Sequence, residues 1–432
     1  MHDGLRHSRD RDDDGDNTPT LDLKSLKVIS ALGRGAKGVV FLVRTENGEL
    51  LALKAILRSS IEKKKHSTAG DGDGGVYRRI CFEREVLASF QHPLLPRLHG
   101  VLITDTVVGY AIDYCSGRDL NSLRKKQTEK MFSDDIIRFY AAELVLAIEH
   151  LHNSGIVYRD LKPENVMIQE SGHLMLVDFD LSTKLTPRSP ETRSISSNSK
   201  PQITPPVKKK KFGWFFTRRR DSEISPDDSA RRSELESGSA SSESDSVEKS
   251  NSFVGTEEYV APEIISGDGH DFSVDWWCLG VMLYEMLYGT TPFRGANRKE
   301  TFYRILTKAP DLTGELTPLR DLIGKLLEKD PVRRTCDVRE IKGHDFFRGV
   351  DWDRITEMPR PPFIPELTDV EGMDGNKEID VESYVQAVFK VGEEKENNSN
   401  KSGLRNCEEN RNKDVWVNNH PTQIQNDNFL IF

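Results

Sequence analysis

The sequence contains no long apolar run and no paired cysteines. No stretch approaches the roughly 20 apolar residues that a transmembrane helix needs, and charged residues rather than an apolar segment follow Met1. The five cysteines are scattered without a C-x-x-C pair, which argues against a zinc site and against a disulfide framework. We therefore expect a soluble or peripherally attached protein in a reducing compartment, the cytoplasm.

A cationic excess is also missing. The formal net charge is -9, and charged residues make up 30% of the chain. This balance argues against general nucleic-acid binding, so any basic contact must be local. We expect no nucleic-acid partner and a monomeric protein.

Composition separates polar ends from a folded centre. Residues 1–25 are too polar and charged to bury much apolar surface, and we predict a disordered tail there. Residues 182 to about 250 are rich in Ser, Pro and charge and are predicted to form a disordered insert. A domain over residues 26–347 surrounds this insert, and a mostly polar C-terminal tail follows over residues 348–432.

Two kinds of hydrophobic periodicity divide the domain over residues 26–347. Short β-type runs with Gly or Asn-Gly turns dominate residues 26–112. Apolar residues at helical spacing dominate residues 116–347, with a long helix expected over Asp134–Leu151. The predicted fold class is α+β, with a small β-rich N-lobe that carries one main helix, a hinge at residues 113–115 and a larger, mostly helical C-lobe.

The most specific chemistry lies in one short run, Tyr158-Arg159-Asp160-Leu161-Lys162-Pro163-Glu164-Asn165. Asp160 can accept the proton of an attacking hydroxyl, and Lys162 can balance charge on a transferring phosphoryl group. Asn165, together with Asp178 in the Asp-Phe-Asp that follows, can ligate a magnesium ion that bridges the phosphates. This ordered set indicates phosphoryl transfer, with ATP and Mg2+ as the cofactors.

A glycine-rich segment, Leu32 to Val40, has the spacing G-x-G-x-x-G between two strand-like runs. Taken alone, it also fits a dinucleotide-binding turn or a plain glycine-rich hairpin. A strand rather than a helix follows the glycines, and Lys54 comes next in Ala-Leu-Lys, which favours a hairpin lid over ATP phosphates. Lys54 would contact the α and β phosphates.

An ammonium at the phosphates needs an anionic partner. Glu83 and Glu85 both lie on the next predicted helix, and the motif alignment favours Glu83, with two solvated helix acids as the alternative. Cys115, beside the hinge, could be a redox-sensitive thiol, but the favoured interpretation is a buried packing residue. We assign nucleotide binding to Leu32, Gly33, Gly35, Gly38, Val40, Lys54, Glu83, Asp113 and Cys115.

Two residues argue for serine or threonine, rather than tyrosine, as the phosphate acceptor. Lys162 stands two positions after the proposed proton acceptor, and Thr256 in Gly-Thr-Glu-Glu-Tyr is placed to touch the catalytic loop. Glu263, in the Ala-Pro-Glu that closes this segment, is expected to pair with Arg334. Asp275 is expected to anchor the backbone of the catalytic loop.

Residues 26–347, with these motifs, resemble a eukaryotic protein kinase of the AGC group. Asp180 in place of the usual glycine, the long insert and the ending Phe429-Leu430-Ile431-Phe432 resemble the plant AGC VIII branch. The resemblance implies a bilobal protein kinase fold and a plant serine/threonine kinase that acts on protein substrates. It also implies a place in stress or oxidative signalling, downstream of phosphoinositide-dependent kinase.

The same resemblance implies two regulatory features. Ser252 would be the activation-loop phosphosite, and Arg159 could grip its added charge of about -1.5 to -2. Thr256 belongs to the same regulated segment. Phe429 and Phe432 would fill a groove on a small lobe, either this chain's own or that of phosphoinositide-dependent kinase.

A basic and aromatic stretch, Lys208 to Arg220, lies within the insert. Its cations could bind anionic phospholipids at the plasma membrane while its aromatic residues enter the interface. A nuclear localisation signal and a solvated basic loop are the other two interpretations. Imaging a fluorescent fusion with Lys208 to Lys211 neutralised would separate them, since an unchanged distribution favours the solvated loop.

The sequence argues against two other functions, a scaffold without catalytic activity and a small-molecule kinase. A scaffold that recruits partners without transferring phosphate would be indicated by a missing Lys54, Asp160, Asn165 or Asp178, and all four are present. A small-molecule kinase is argued against by Thr256, by the Ala-Pro-Glu closure and by the AGC-like tail.

Overall fold

The computed structural model describes residues 18–35, 38–61, 75–186, 249–250, 252, 254–359, 361–365, 379–389 and 430–431. The chain divides into two units, of which the first is Met1–Leu185 with Lys249–Phe432. The second, Thr186–Glu248, lies outside the described residues apart from Thr186. All of the architecture that follows belongs to the first unit.

A seven-stranded sheet forms the small lobe. Six of its strands are β1 (Thr20–Leu21), β2 (Leu26–Arg34), β3 (Gly38–Thr45), β4 (Leu50–Leu57), β5 (Leu98–Ile103) and β6 (Val107–Asp113). They run in the order β1-β5-β6-β4-β3-β2, with β1 parallel to β5 and the other neighbours antiparallel. The seventh strand, Leu430–Ile431, pairs in parallel with Gly33 and Arg34 of β2.

One long helix accompanies this sheet. Helix α1 (Gly75–Ala88) lies between β4 and β5 in the chain and buries Val86 and Leu87 in the larger core. Gly48, in the turn between β3 and β4, has φ 85°, a conformation that the Asn-Gly pair readily adopts. The small lobe is therefore β-rich with one main helix, as predicted.

The larger lobe is mostly helical. Its helices are α2 (Leu120–Lys125), α3 (Asp134–Asn153), α4 (Pro262–Ser266), α5 (Ser273–Tyr288), α6 (Arg298–Thr307), α7 (Pro318–Leu326) and α8 (Val338–Lys342). Two small antiparallel sheets join β7 (Ile156–Val157) to β10 (Thr183–Lys184) and β8 (Val166–Ile168) to β9 (Leu174–Leu176). The predicted α+β fold with two lobes is confirmed.

Helix α5 forms the centre of the larger core because it is apolar on nearly every face. Trp276 and Trp277 are buried in it, and the helix packs against α3 and α7. A helix without a polar face is stable only when neighbours surround it. Among the helices of the described ranges, none is both long and apolar enough to cross a membrane.

A buried ion pair ties α4 to the end of the domain. Arg334 Nη1 lies 2.7 Å from Glu263 Oε1 and Nη2 lies 2.9 Å from Oε2, so the pair is bidentate. This is the pair predicted from the sequence. Arg334 also donates to the carbonyl oxygen of Ser273 at 3.0 Å, which links the pair to the start of α5.

The predicted boundary of the N-terminal tail, at residue 25, is too late. Thr20 and Leu21 pair with Val101 and Leu102, and the N–H of Val101 donates to the carbonyl of Pro19 at 2.9 Å. A few residues suffice here because they extend an existing sheet rather than form a core of their own.

The predicted insert boundaries also fall inside folded structure. Thr183 and Lys184 form β10, and Ser250 forms an antiparallel bridge with His270. The polar composition of these residues concealed their pairing, because backbone hydrogen bonds depend little on the side chain.

The C-terminal tail contacts both lobes. On the larger lobe, His173 Nε2 lies 3.1 Å from the carbonyl oxygen of Met358, and the rings of Phe363 and Phe132 lie 6.2 Å apart. On the small lobe, a helix over residues 381–389, α9, packs against the sheet. The described parts of the tail therefore belong to the folded body of the protein.

Candidate active site

A buried carboxylate fixes the catalytic loop that follows β7. Asp275, in the first turn of α5, is fully buried and accepts hydrogen bonds from the backbone N–H groups of Tyr158 at 2.9 Å and Arg159 at 2.7 Å. His152 Nε2 lies 2.8 Å from the same carboxylate. Arg159 has φ 68°, a strained conformation for a residue with a side chain, and these bonds hold it there.

Asp160 is held in place by side chains from three positions. Lys162 Nζ lies 2.9 Å from Asp160 Oδ2, and Thr256 Oγ1 donates to Asp160 Oδ1 at 2.9 Å. Lys162 Nζ also lies 3.2 Å from Thr256 Oγ1. Asn165 Nδ2 donates to the carbonyl oxygen and to Oδ2 of Asp160, each at 3.0 Å. A carboxylate fixed in this way is preorganised to accept a proton from one direction.

Asn165 and Asp178 are the candidate metal ligands. The amide nitrogen of Asn165 is used on Asp160, which leaves its amide oxygen for a cation. The N–H of Val177 donates to the carbonyl oxygen of Asn165 at 3.0 Å, so the segments that carry the two ligands lie side by side. Asp178 has φ 61°, in the left-handed region that few side-chain-bearing residues adopt.

Lys54 of β4 contacts both helix α1 and the segment that carries the metal ligand Asp178. Its Nζ lies 2.9 Å and 3.2 Å from the two carboxylate oxygens of Glu83 on α1 and 3.3 Å from Asp178 Oδ1. Glu83 is buried, whereas Glu85 is exposed, so the residue favoured by the motif is the one that reaches the lysine. Tyr110, which faces Lys54 across the β4–β6 pair, places its ring 5.5 Å from Nζ.

The charges of this cluster set its protonation states. Burial alone would lower the pKa of Lys54, but Glu83, Tyr110 and Asp178 raise it well above its ordinary value. Burial alone would raise the pKa of Asp178, but the Lys54 ammonium lowers it. Lysine and aspartate are therefore both charged at neutral pH, ready for phosphate oxygens and for a cation.

The glycine-rich segment forms the turn from β2 to β3. The N–H of Gly35 donates to the carbonyl oxygen of Gly38 at 2.9 Å, which closes the turn. A Cβ atom at Gly38 would lie 2.6 Å from the carbonyl oxygen of Ala55, so no larger residue fits there. Val40 pairs with Gly33 on one side and with Lys54 on the other. Directly opposed residues share a face, so Val40 and Lys54 line the same side of the sheet.

Half-buried Leu32 precedes these glycines in β2 and completes the set assigned to this lid. Ala36 and Lys37, between Gly35 and Gly38 in the sequence, lie outside the described residues. Leu32, Gly33, Gly38, Val40 and Lys54 therefore lie on three neighbouring strands of one sheet, and Gly35 follows directly after β2.

The side chains of the hinge residues Asp113 and Cys115 are engaged within the protein, and their assignment to the nucleotide stays a prediction. The carboxylate of Asp113 accepts from the backbone N–H of Arg97 at 2.7 Å and lies 2.9 Å from His99 Nε2. Its side chain is thus engaged, and in the sheet Asp113 stands opposite Leu51 of β4. Cys115 directs its Sγ to Met175 Sδ at 3.6 Å, and burial raises the pKa of the thiol. Cys115 packs as a small apolar residue, which argues against a redox role.

The residues present fit a nucleotide with a divalent cation. Gly38, where a Cβ would meet the carbonyl oxygen of Ala55, lies in the strand whose Val40 pairs with Lys54, and Lys54 Nζ lies 3.3 Å from Asp178 Oδ1. In the described part of the chain, no group of three or more His, Cys, Asp or Glu side chains could hold a metal by itself. Two protein oxygens suit a hard cation that phosphate oxygens also ligate.

Arg159 reaches from the catalytic loop to the segment that carries Ser252. Its Nη1 lies 2.6 Å from Ser252 Oγ, 3.0 Å from Ser250 Oγ and 3.4 Å from His270 Nε2. Burial lowers the pKa of Arg159 to about 10, so the guanidinium keeps its charge at neutral pH. Burial and the Arg159 charge lower the pKa of His270, which is therefore neutral. Ser252 thus lies against a buried cation.

Some residues with a predicted role cannot be placed in the active site, and some contacts in the active site were not predicted. Phe429, Phe432 and the basic stretch Lys208–Arg220 lie outside the described residues, so their assigned roles stay predictions. The fold also creates two contacts that the sequence did not predict, from Tyr110 to Lys54 and from His270 to Arg159. Neither residue stands in a recognisable motif, so no local signal could have found them.

The two-lobed fold and this set of side chains define the class of the protein. A glycine-rich turn, a lysine paired to a helix glutamate, and a fixed aspartate beside two metal ligands are the parts of a protein kinase. The protein kinase domain family matches residues 26–201 and 237–347 of the chain. The chain belongs to the protein kinase family.

The chain is similar to several plant serine/threonine-protein kinases. The chain is 60% identical to Serine/threonine-protein kinase OXI1 of Arabidopsis thaliana, over 95% of this chain and 97% of that protein. It is 42% identical to Serine/threonine-protein kinase UCN of the same plant, over 80% of this chain and 85% of that protein. For Serine/threonine-protein kinase AGC1-5, also from that plant, identity is 37% over 82% of this chain and 61% of that protein.

These similarities confirm the AGC group and the plant affinity predicted from the sequence. The protein is a serine/threonine protein kinase, similar to OXI1, and as a member of this family it uses ATP with a divalent metal.

The pairing of Lys54 with Glu83 yields a direct test. Glu83→Gln removes the charge that holds Lys54 while keeping the size of the side chain, so kcat/KM for ATP should fall on the order of 100-fold. The matched control is Glu85→Gln on the exposed face of the same helix, which should leave kcat/KM unchanged. Equal values for the two variants would show that the pair has no part in nucleotide use.

Proposed function

We propose that the protein transfers the γ-phosphate of Mg2+-bound ATP to serine or threonine hydroxyls of protein substrates. The observation that carries this proposal is the contact of Lys162 and Thr256 with the one carboxylate of Asp160. Lys162 contacts Oδ2 and Thr256 contacts Oδ1, so each carboxylate oxygen has a side-chain neighbour. The presence of these two residue types at the proton acceptor favours serine or threonine, rather than tyrosine, as the acceptor.

Each side chain has one task in this proposal. Bound Mg2+ and ATP supply the phosphoryl group and neutralise its charge. Lys54 holds the α and β phosphates, and Asn165 and Asp178 hold the metal. Asp160 orients the acceptor hydroxyl and takes its proton, while Lys162 balances the charge of the transferring group. Little covalent chemistry is asked of the protein, and positioning supplies most of the acceleration.

The role of Asp160 is tested with an isosteric change. Asp160→Asn keeps the size of the side chain and removes the proton acceptor, so phosphate incorporation into a basic protein substrate should fall about 100- to 10,000-fold. The assay contains Mg2+ and ATP. Asp134→Asn, an exposed carboxylate in the first turn of α3, serves as the control and should match the wild type. Equal incorporation by the wild type and Asp160→Asn would refute the assignment.

We also propose that phosphorylation of Ser252 activates the enzyme. Ser252 Oγ already lies 2.6 Å from the buried guanidinium of Arg159, so a phosphate there would meet a cation that water screens poorly. The same segment carries Thr256, which bonds to Asp160. Added negative charge at Ser252 would therefore hold the segment against the catalytic loop.

The upstream enzyme in this proposal is a phosphoinositide-dependent kinase that docks on the C-terminal Phe-x-x-Phe, Phe429 and Phe432. Two phenylalanines at the end of a polar tail offer the apolar surface that a groove would bury. The sequence resemblance to the AGC group supports this partner.

One experiment tests docking and phosphosite together. Full-length protein treated with phosphoinositide-dependent kinase should gain phosphate at Ser252 and kinase activity, because the new charge pairs with Arg159. The double variant Phe429→Ala, Phe432→Ala should gain phosphate at Ser252 more slowly, and Ser252→Ala should gain no activity. Site-specific phosphate is measured by mass spectrometry and activity on the same sample.

Two outcomes would count against this regulation. Full activation of Ser252→Ala would show that phosphorylation of Ser252 does not activate the enzyme. An unchanged rate of Ser252 phosphorylation in the double phenylalanine variant would show that Phe429 and Phe432 do not dock the upstream kinase. A phosphatase control completes the design, since it should lower the activity of the treated wild type and leave Ser252→Ala unaffected.

The wider setting stays a prediction. The resemblance to the plant AGC VIII branch supports a place in stress or oxidative signalling. The stretch Lys208–Arg220 supports a peripheral plasma-membrane or nuclear fraction beside the cytoplasmic one. The alternative of a catalytically weak scaffold is disfavoured because Lys54, Asp160, Asn165 and Asp178 are present and assembled.

A further inference from the structure

Helix α9 covers the face of the small-lobe sheet that points away from the nucleotide cleft. In β4, Leu53 and Ala55 flank Lys54, and alternate residues of a strand point to opposite faces. Leu53 and Ala55 belong to one buried apolar cluster with Val381 and Val385 of α9. The tail helix therefore completes the core of the small lobe on the side opposite to Lys54.

Specific contacts fix where α9 lies. The ring of Tyr384 packs edge-on against Phe41 of β3, with centroids 5.5 Å apart and planes at 77°. Asp380 caps the helix by accepting from the backbone N–H of Glu382 at 3.0 Å and from Ser383 Oγ at 2.6 Å. Thr104, in the turn after β5, donates to the carboxylate of Glu382. The helix is held at its start and along its apolar face.

The end of α9 reaches the glycine-rich segment. The guanidinium carbon of Arg34 lies 5.1 Å from the ring centroid of Phe389, within the range of a cation–π contact. Arg34 stands between Gly33 and Gly35 and pairs with Val39, which pairs with Ala55. Arg34 therefore shares the face of Ala55, where α9 packs, while Gly33 and Val40 pair on the face of Lys54.

The tail meets the same point of β2 a second time. The strand Leu430–Ile431 pairs in parallel with Gly33 and Arg34. The stem of the glycine-rich turn is thus contacted on its face by Phe389 and along its edge by the end of the chain.

We propose that Phe389 is a positioning residue for the ATP phosphates. It holds Arg34 on the face of β2 that α9 covers, opposite to the face of Lys54. In this way it keeps the glycine-rich turn, which follows Arg34, at the distance from Lys54 that the ATP phosphates require. Phe389 touches neither nucleotide nor reacting atoms, and its effect passes through Arg34. The inference rests on the proposed function, because it assigns the glycine-rich turn to ATP.

The test compares full-length variants at the same phosphorylation state. Phe389→Ala should raise KM for ATP and the Kd of a fluorescent ATP analogue about two- to fivefold, as expected for loss of one partly exposed cation–π contact. The kcat at saturating ATP should stay within a factor of about 1.5, because the catalytic loop keeps its position. Phe389→Trp keeps an aromatic ring, so KM for ATP and the Kd of the analogue should return to their wild-type values. Ala387→Ser, exposed on the same helix, should behave as the wild type.

A second variant guards against a folding artefact. Arg34→Met keeps an apolar stem without the charge and should raise KM for ATP as Phe389→Ala does. The double variant should show no further increase over Arg34→Met alone, because both changes remove the Arg34–Phe389 contact.

Three results would overturn the inference. They are an unchanged KM for ATP in Phe389→Ala, additive increases in the double variant, or a loss confined to kcat. Analogue binding is read without catalysis, so a wild type that binds nucleotide but transfers no phosphate would count against the proposed function alone.

Discussion

The buried carboxylate of Asp275 is the constraint on which the active site depends. It binds the backbone N–H groups of two consecutive residues, Tyr158 and Arg159, and so holds Arg159 in a left-handed conformation. That bend lets neighbouring side chains serve different tasks, with Arg159 directed to Ser252 and Asp160 to Thr256 and Lys162. Since Asp275 stands on α5 at the centre of the larger core, the chemistry is fixed to the most buried part of the fold.

A second constraint joins the two lobes. Lys54 of the small lobe contacts Glu83 on α1 and Asp178 beside the catalytic loop. Any movement of α1 therefore changes the charge around the metal ligands. The C-terminal tail spans the same division, with Met358 at the larger lobe and α9 on the small-lobe sheet. The glycine-rich turn, α1 and the tail helix α9 thus all contact the sheet that carries Lys54.

Contacts between residues that stand in short motifs could be predicted from the sequence. Asp160, Lys162 and Asn165 fall within one run, and their chemistry dictates their types, so their meeting could be predicted. The motif favours Glu83 over Glu85, and Glu83 is the buried glutamate that contacts Lys54. Helix α9 could not be foreseen, because nine residues in a polar tail form a helix only when a sheet stabilises one face. The pairing of Thr20 and Leu21 could not be predicted for the same reason, because it depends on the sheet edge formed by β5, about 80 residues further along the chain.

The most direct test of this account is the kcat of Asp275→Asn, measured per ATP-binding site so that only folded protein is counted. The amide places a donor against backbone N–H donors, so the catalytic loop should shift and kcat should fall on the order of 100-fold. KM for ATP should change little, because the glycine-rich turn and Lys54 do not touch Asp275. A wild-type kcat in Asp275→Asn would contradict the claim that this carboxylate sets the active site.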